Sequence, residues 1–91
     1  MRQVILEGRE LSSQAALHDA LAELFGFPPF YGRNWDALWD VLEDSDLNNV
    51  LAPTELVWRD SSVFERADPD GFATAQRIFA ETSCPVTLRL S

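Results

Sequence analysis

The amino-acid sequence predicts a single α/β domain, residues 1–91, in which about four helices pack on a small three-stranded parallel sheet. Three short apolar segments have the length and composition of strands, and they lie at 4–6, 55–58 and 85–90. Helical patterns separate these segments, and parallel neighbours in a sheet need helical crossovers. A chain of 91 residues has room for one hydrophobic core, so we expect a single domain.

Each predicted helix begins at a residue that can cap its first turn. Ser12 or Ser13 is predicted to cap a first helix that ends at Gly26, and Asn34 a second helix over 35–43. One of residues 60–62 is predicted to cap a short third helix over 63–67, and Asp68 a fourth helix that starts at Pro69. Apolar residues at helical spacing give each longer helix one side that faces the core.

The composition excludes several classes of function. The formal net charge is −8, and all seven basic residues are arginines. Such a chain repels a phosphate backbone, so we expect no nucleic-acid partner and favour a basic protein partner. No stretch of the sequence has the apolar length of a membrane span or a signal peptide, so we expect no membrane partner.

The inventory of cysteine and histidine predicts neither a cofactor nor a metal site. Cys84 is the only cysteine and His18 the only histidine, so the soft ligands that a zinc site needs are absent from the sequence. A single cysteine fits a reducing compartment, and we expect a cytoplasmic protein. We interpret His18 as a partly buried helix residue, Trp58 as a core residue and Cys84 as a small apolar filler.

The acidic residues of the second helix are the strongest functional signal. Asp36, Asp40 and Glu43 fall within about 60° of arc on a helix of about 100° per residue, so all three are expected to face water. The opposite side is apolar and is expected to pack on the sheet through Trp35, Leu38 and Leu42. Between residues 34 and 58 there are six acidic and no basic residues, which concentrates the negative field.

Helix stability does not explain this arrangement. A single acid on a solvated helix face needs no functional explanation, and Asp36 benefits from the positive end of the helix dipole. Asp40 and Glu43 lie toward the negative end, where same-sign neighbours repel. We therefore interpret the cluster as a binding face for a cationic protein, flanked by the aromatic residues Phe30 and Trp39 and by the loop 30–34.

The segment 30–40, with the sequence FYGRNWDALWD, resembles the signature of the barstar family, which are intracellular inhibitors of secreted ribonucleases of the barnase type. The resemblance extends over nearly the whole chain, including Leu17-His18, Trp58-Arg59 and Glu81. It implies a three-stranded parallel sheet packed by helices, with the second helix and the preceding loop blocking the active site of a basic, barnase-like ribonuclease. We expect a monomer in the free state and no catalytic residues.

The resemblance also implies contact residues. Matched by position, with the acidic cluster added, the predicted partner-binding residues are Phe30, Gly32, Asn34, Asp36, Trp39, Asp40, Glu43 and Glu81. Two positions depart from the family pattern. The best-known member has tyrosine in place of Phe30, and it has an interface tryptophan where this chain has Ser45, so the cognate ribonuclease is expected to differ.

Two other functions are compatible with the acidic helix. The first is a module that binds a different basic protein, which an inhibition assay would distinguish from a ribonuclease inhibitor. The second is a small hydrolase that uses Asp36 and Asp40 as magnesium ligands or as a carboxylate pair for sugar cleavage. The chain is too short for a saccharide cleft, and two aspartates without further ligands make a poor magnesium site.

Overall fold

Three parallel strands form the sheet, with the second strand at its centre. The computed structural model describes residues 2–44 and 53–91, so Ser45 and Asp46 of the acidic run lie outside the described residues. The elements within these ranges are β1 (Arg2–Glu7), α1 (Gln14–Phe25), α2 (Trp35–Leu42), β2 (Thr54–Arg59), α3 (Ser62–Ala67), α4 (Pro69–Glu81) and β3 (Val86–Leu90). This arrangement confirms the predicted α/β class and the parallel sheet.

The strands pair in a register that aligns apolar residues of all three strands on one face of the sheet. Val4, Leu56 and Leu88 lie side by side across the three strands. Burial alternates along β2, where Leu56 and Trp58 are almost completely buried, because successive side chains of a strand point to opposite faces. The expectation that Trp58 is a core residue is confirmed.

The helix ends follow the predicted capping residues. The Ser13 hydroxyl accepts a hydrogen bond from the backbone N–H of Ala16 at 3.2 Å, and the Asp68 carboxylate accepts one from Gly71 N–H at 3.0 Å. Gly26 ends α1 in the left-handed conformation, with φ of 66°. The cap of α3 differs from the expectation, because Ser61 stands at the cap position but donates its hydroxyl to the Ser91 carbonyl instead.

Helix α2 packs against α4 and contributes two leucines to the core. Leu38 and Leu42 have no exposed surface, and each contributes about 1.5–3 kcal/mol by burial. The helix ends at Leu42, one residue earlier than predicted, and Glu43 is its C-terminal cap. In residues 2–44 and 53–91, no helix combines the length and the apolar character that crossing a membrane requires.

Candidate functional site

The candidate site consists of the exposed side of α2 and the loop that precedes it. Asp36, Asp40 and Glu43, which we call the acidic face, are all exposed to solvent. Because Leu38 and Leu42 are buried on the opposite side of α2, the rotation of the helix points the carboxylates outward. The predicted division of α2 into an apolar and an acidic side is therefore confirmed.

Asn34 fixes the start of α2 and the end of the loop together. Its side-chain oxygen accepts a hydrogen bond from Ala37 N–H at 2.7 Å, and its amide nitrogen donates to the Gly32 carbonyl at 3.3 Å. A Cβ atom at Gly32 would lie 3.3 Å from both the Ala37 methyl group and the Asn34 amide. Glycine at position 32 therefore permits the close approach of the loop to the helix.

A tight turn presents Phe30 to solvent. The backbone N–H of Tyr31 donates to the Pro28 carbonyl at 3.0 Å, which closes a four-residue turn with Pro29 at its second position, where proline is favoured. Phe30, the third residue of the turn, is 85% exposed. The turn orders the backbone at Phe30 before a partner binds, so only the side chain of Phe30 remains to be ordered when a partner covers it.

The turn and α2 enclose a cleft that the sequence alone did not predict. Its volume is about 190 Å³, and its lining residues are Pro28, Phe30, Tyr31, Gly32, Ala37, Asp40 and Val41. Most of these residues are apolar, and Asp40 supplies the only ionisable carboxylate among them. The cleft therefore suits a side chain that combines an apolar or planar body with a cationic end.

A buried hydrogen bond joins the loop to α1. The Tyr31 hydroxyl and His18 Nδ1 are 2.6 Å apart, and the ring of His18 also packs on Trp35 with 4.8 Å between centroids. His18 has no exposed surface, so it is buried more completely than expected, and its Nε2 has no hydrogen-bond partner among the described residues. Trp35 thus packs on α1 through His18, a contact that the sequence did not indicate.

Burial changes the titration of both partners in this pair. Desolvation disfavours the charged imidazolium and lowers the pKa of His18 from its usual 6.5, although the neighbouring Asp19 carboxylate opposes the shift. Desolvation disfavours the phenolate and raises the pKa of Tyr31 to about 12. Both side chains are therefore neutral near pH 7, which suits a hydrogen bond in an apolar environment.

An exposed ion pair makes a second connection between the loop and α1. The Arg33 guanidinium binds the Asp19 carboxylate, and this hydrogen bond together with the charge of Asp19 raises the pKa of Arg33. Arg33 has φ of 51°, in the left-handed region that residues with a Cβ atom rarely adopt. The positive charge of Arg33, three residues before Asp36 in the sequence, is thereby paired with α1.

Glu43 has a structural partner that the helix geometry did not reveal. Its carboxylate accepts hydrogen bonds from the Ser83 N–H at 2.9 Å and the Ser83 hydroxyl at 3.1 Å. These bonds tie the end of α2 to the turn after α4. The interpretation that stability does not explain the acid at position 43 was therefore incomplete, because Glu43 links two helices.

The structure brings some of the predicted partner-binding residues together and separates others. Phe30, Gly32 and Asp40 line the same cleft, and Trp39, which precedes Asp40 on α2, has 38% of its surface exposed. Glu81 stands at the end of α4, two residues before the serine that binds Glu43, and its carboxylate lies 3.9 Å from the Arg77 guanidinium. Such an exposed pair contributes little to stability.

The carboxylates of α2 do not form a metal site with their described neighbours. Within the ranges 2–44 and 53–91, no three His, Cys, Asp or Glu residues stand close enough together to bind a metal ion. Asp40 forms neither a hydrogen bond nor an ion pair with this part of the chain. Among residues 2–44 and 53–91, the arrangement offers a carboxylate without a partner beside an apolar cleft, which is a feature of recognition surfaces.

The geometry defines a class of protein, namely small α/β domains that present an acidic helix face to solvent. Comparison with known protein families then identifies the particular family. The family model described as Barstar (barnase inhibitor) matches residues 1–87. The chain therefore belongs to the barstar family.

One curated relative is named "Putative ribonuclease inhibitor YrdF" and comes from Bacillus subtilis (strain 168). The two sequences are 50% identical over 42 residues, which make up 46% of this chain and 46% of the relative. The matched segment thus spans less than half the length of that protein.

The buried position of His18 predicts that stability falls in mild acid. The pKa of His18 is lower in the folded protein than in the unfolded chain, so the unfolded chain binds the proton first as the pH falls below 6.5. The free energy of unfolding should then decrease by at most about 1.4 kcal/mol per pH unit until His18 titrates in the folded state. Urea unfolding at pH 7.5 and pH 5.5 measures this loss.

The control for this measurement is the variant His18→Gln, which keeps all carboxylates and lacks the imidazole. The loss of stability between the two pH values should be smaller in the variant than in the natural protein. Equal losses in both proteins would show that carboxylates alone cause the pH dependence.

The different environments of Asp40 and Glu43 predict opposite effects on stability. Asp40→Ala should leave the free energy of unfolding unchanged or raise it by a few tenths of a kcal/mol. The substitution removes the repulsion between Asp40 and the neighbouring acids, and it breaks no hydrogen bond or ion pair with the described residues. Glu43→Ala should lower it by about 0.5–1.5 kcal/mol, because Ser83 loses its acceptor. Chemical denaturation of the two variants, each lacking one charge of the same helix, provides the comparison. A destabilised Asp40→Ala would reveal a structural role for that carboxylate.

Proposed function

We propose that this protein inhibits a basic ribonuclease of the barnase type by placing the acidic face and the loop 30–34 in the active site of the enzyme. Membership of a family described as barnase inhibitors supports this function. The printed name of the Bacillus relative, a ribonuclease inhibitor, agrees with it. The net charge of −8 favours association with a basic enzyme.

The position of Asp40 is the observation that carries the proposal. Its exposed carboxylate has no partner in the described part of the chain and stands at the cleft beside Phe30. A ribonuclease must hold the phosphate of RNA with cationic side chains. A carboxylate that projects from a well-packed helix can occupy the place of that phosphate and accept charge-assisted hydrogen bonds from the same side chains.

The neighbouring residues supply contact area and field. Phe30 offers a large exposed ring, and Trp39 offers a partly exposed one next to Asp40. Phenylalanine and tryptophan are enriched at the cores of interfaces, and tryptophan is also enriched among the residues that dominate interface energy. Asp36 and Glu81 are assigned to steering of the basic enzyme, since charges at the rim of an interface mainly affect the rate of encounter.

Two of the predicted residues act mainly within the inhibitor. Both polar groups of the Asn34 side chain are already bonded, to Ala37 N–H and to the Gly32 carbonyl, so we assign Asn34 chiefly to shaping the loop. Glu43 is bonded to Ser83 but remains exposed, and it adds negative charge to the face without needing a direct contact.

The direct test of the function is residual RNA cleavage by a panel of secreted, guanyl-preferring ribonucleases mixed with the protein. Stoichiometric loss of cleavage by at least one enzyme is the expected result. Binding to basic proteins without inhibition of any of these enzymes would favour the alternative, an acidic module for a different partner.

The proposed role of Asp40 predicts a local effect on inhibition rather than a general effect of charge. Asp40→Ala should weaken the inhibition constant by about 30-fold or more, because truncation of a central, desolvated group costs about 2 kcal/mol or more. Glu65→Ala, which removes an exposed carboxylate of α3 without a described partner, should change it by less than about fivefold. Equal effects of both substitutions on the same ribonuclease would mean that only the overall field matters.

The concentration of negative charge predicts a salt-dependent association rate. The rate constant should fall markedly between about 10 mM and 150 mM salt, since the screening length shrinks from about 30 Å to 8 Å, whereas dissociation should change less. Asp36→Asn should slow association at low salt with little effect on dissociation. Stopped-flow or surface-based kinetics with the inhibited ribonuclease measure both rates, and an association rate that does not respond to salt would exclude steering.

A further inference from the structure

We propose that His18 and Asp19 of α1 are positioning residues, which hold the loop 30–33 in its partner-binding conformation. This inference rests on the proposed function, since it names the residues that keep the loop of the same site ordered. His18 binds Tyr31 at 2.6 Å, and Asp19 binds Arg33. Two consecutive residues of α1 thus bind two residues of the loop, Tyr31 and Arg33, that are separated only by Gly32.

The two connections differ in their physical nature. The His18–Tyr31 pair is buried, and both of its members are neutral near pH 7. The Asp19–Arg33 pair is exposed, with 58% and 55% of the two side-chain surfaces accessible to solvent. A substitution in one pair keeps both hydrogen-bonding groups of the other pair, so each connection can be removed separately.

The backbone of Arg33 shows why the second connection is needed. An arginine at φ of 51° is less stable than an arginine in the ordinary right-handed or extended regions. Without the bond to the Asp19 carboxylate, we expect the backbone of Arg33 to leave the left-handed region for one of these more stable regions. Gly32 lies between Tyr31 and Arg33, so release of Arg33 frees the glycine backbone as well.

The positions of these residues connect the loop anchors to the cleft. Tyr31 and Gly32 line one side of the cleft, and Asp40 and Val41 of α2 contribute to its lining as well. The width of the cleft therefore depends on where α1 holds the loop. If the loop samples other conformations, only a fraction of the molecules can bind, and the apparent affinity falls by that fraction.

The charge of Arg33 allows a test in which positioning and general electrostatics predict opposite signs. Arg33→Gln makes the inhibitor more negative close to the acidic face. If the field alone mattered, the variant would bind a basic ribonuclease faster and more tightly. If Arg33 positions the loop, the variant binds about two- to tenfold more weakly, the range expected for the loss of order in one loop contact.

Two further variants complete the design. Tyr31→Phe removes only the hydroxyl that binds His18 and retains the aromatic ring, so it should also weaken binding two- to tenfold without changing the net charge. The double variant Asp19→Arg with Arg33→Asp reverses the ion pair at constant net charge. It should recover most of the affinity that Arg33→Gln loses, because the connection is restored with opposite polarity.

A measurement on the free protein keeps this inference separate from the proposed function. Amide hydrogen exchange and ¹⁵N relaxation should show a more mobile backbone at Phe30 and Gly32 in Arg33→Gln and Tyr31→Phe. The amide of Leu38 in α2 should remain protected, and the melting temperature controls for general loss of stability. The reversed ion pair should restore order to the loop.

The outcomes are decisive in both directions. An equally ordered loop in both single variants, or an Arg33→Gln variant that binds as tightly as the natural protein or more tightly, overturns the positioning role. A natural protein that inhibits no ribonuclease overturns the proposed function. In that case the order of the loop in the free variants alone decides whether α1 positions it.

Discussion

The burial of Leu38 and Leu42 is the constraint on which the rest of the candidate site depends. Helix α2 has only eight residues, so it is about 12 Å long and too short to be stable in isolation. Its packing in the core and against α4 must therefore supply its stability. Once these two leucines are buried, the rotation of the helix is fixed, and the carboxylates at positions 36 and 40 must face water.

The magnitudes explain how the fold tolerates a concentrated charge. Repulsion between acids four residues apart on a helix costs a few tenths of a kcal/mol. The burial of each leucine contributes about 1.5–3 kcal/mol, and the Asn34 cap adds about 1 kcal/mol. The unfavourable electrostatic term is thus several times smaller than the packing that holds the same helix. An acidic binding surface is compatible with stability as long as the apolar side remains intact.

The sequence predicted the features that depend on neighbouring residues. Caps and stops such as Ser13, Gly26, Asn34 and Asp68 are encoded within about four positions of the helix end that they define, and all four stand where they were expected. The division of α2 into two sides follows from the period of the helix alone. These local rules were also sufficient to predict the three strands and the class of the fold.

Contacts between distant residues were not predictable in the same way. The partners His18 and Tyr31 are 13 positions apart, and Glu43 and Ser83 are 40 positions apart. No periodic pattern encodes such a pairing, because it arises only when the elements pack. The cleft was missed for the same reason, since it depends on the turn closed by the Tyr31 N–H as much as on the residues that line it.

The three acids of α2 show that a shared helix face does not imply a shared role. Asp36 lies in the first turn, where its negative charge stabilises the helix by interacting with the positive end of the helix dipole. Glu43 holds the turn after α4 through its hydrogen bonds to Ser83. Asp40 has no such partner among residues 2–44 and 53–91, so in the proposed complex a ribonuclease would break no hydrogen bond of the Asp40 carboxylate to this part of the chain. A partner that engaged Glu43 directly would compete with two existing hydrogen bonds. In the proposed complex, new hydrogen bonds would therefore offset the cost of desolvation most readily at Asp40, and we place the centre of the proposed interface there.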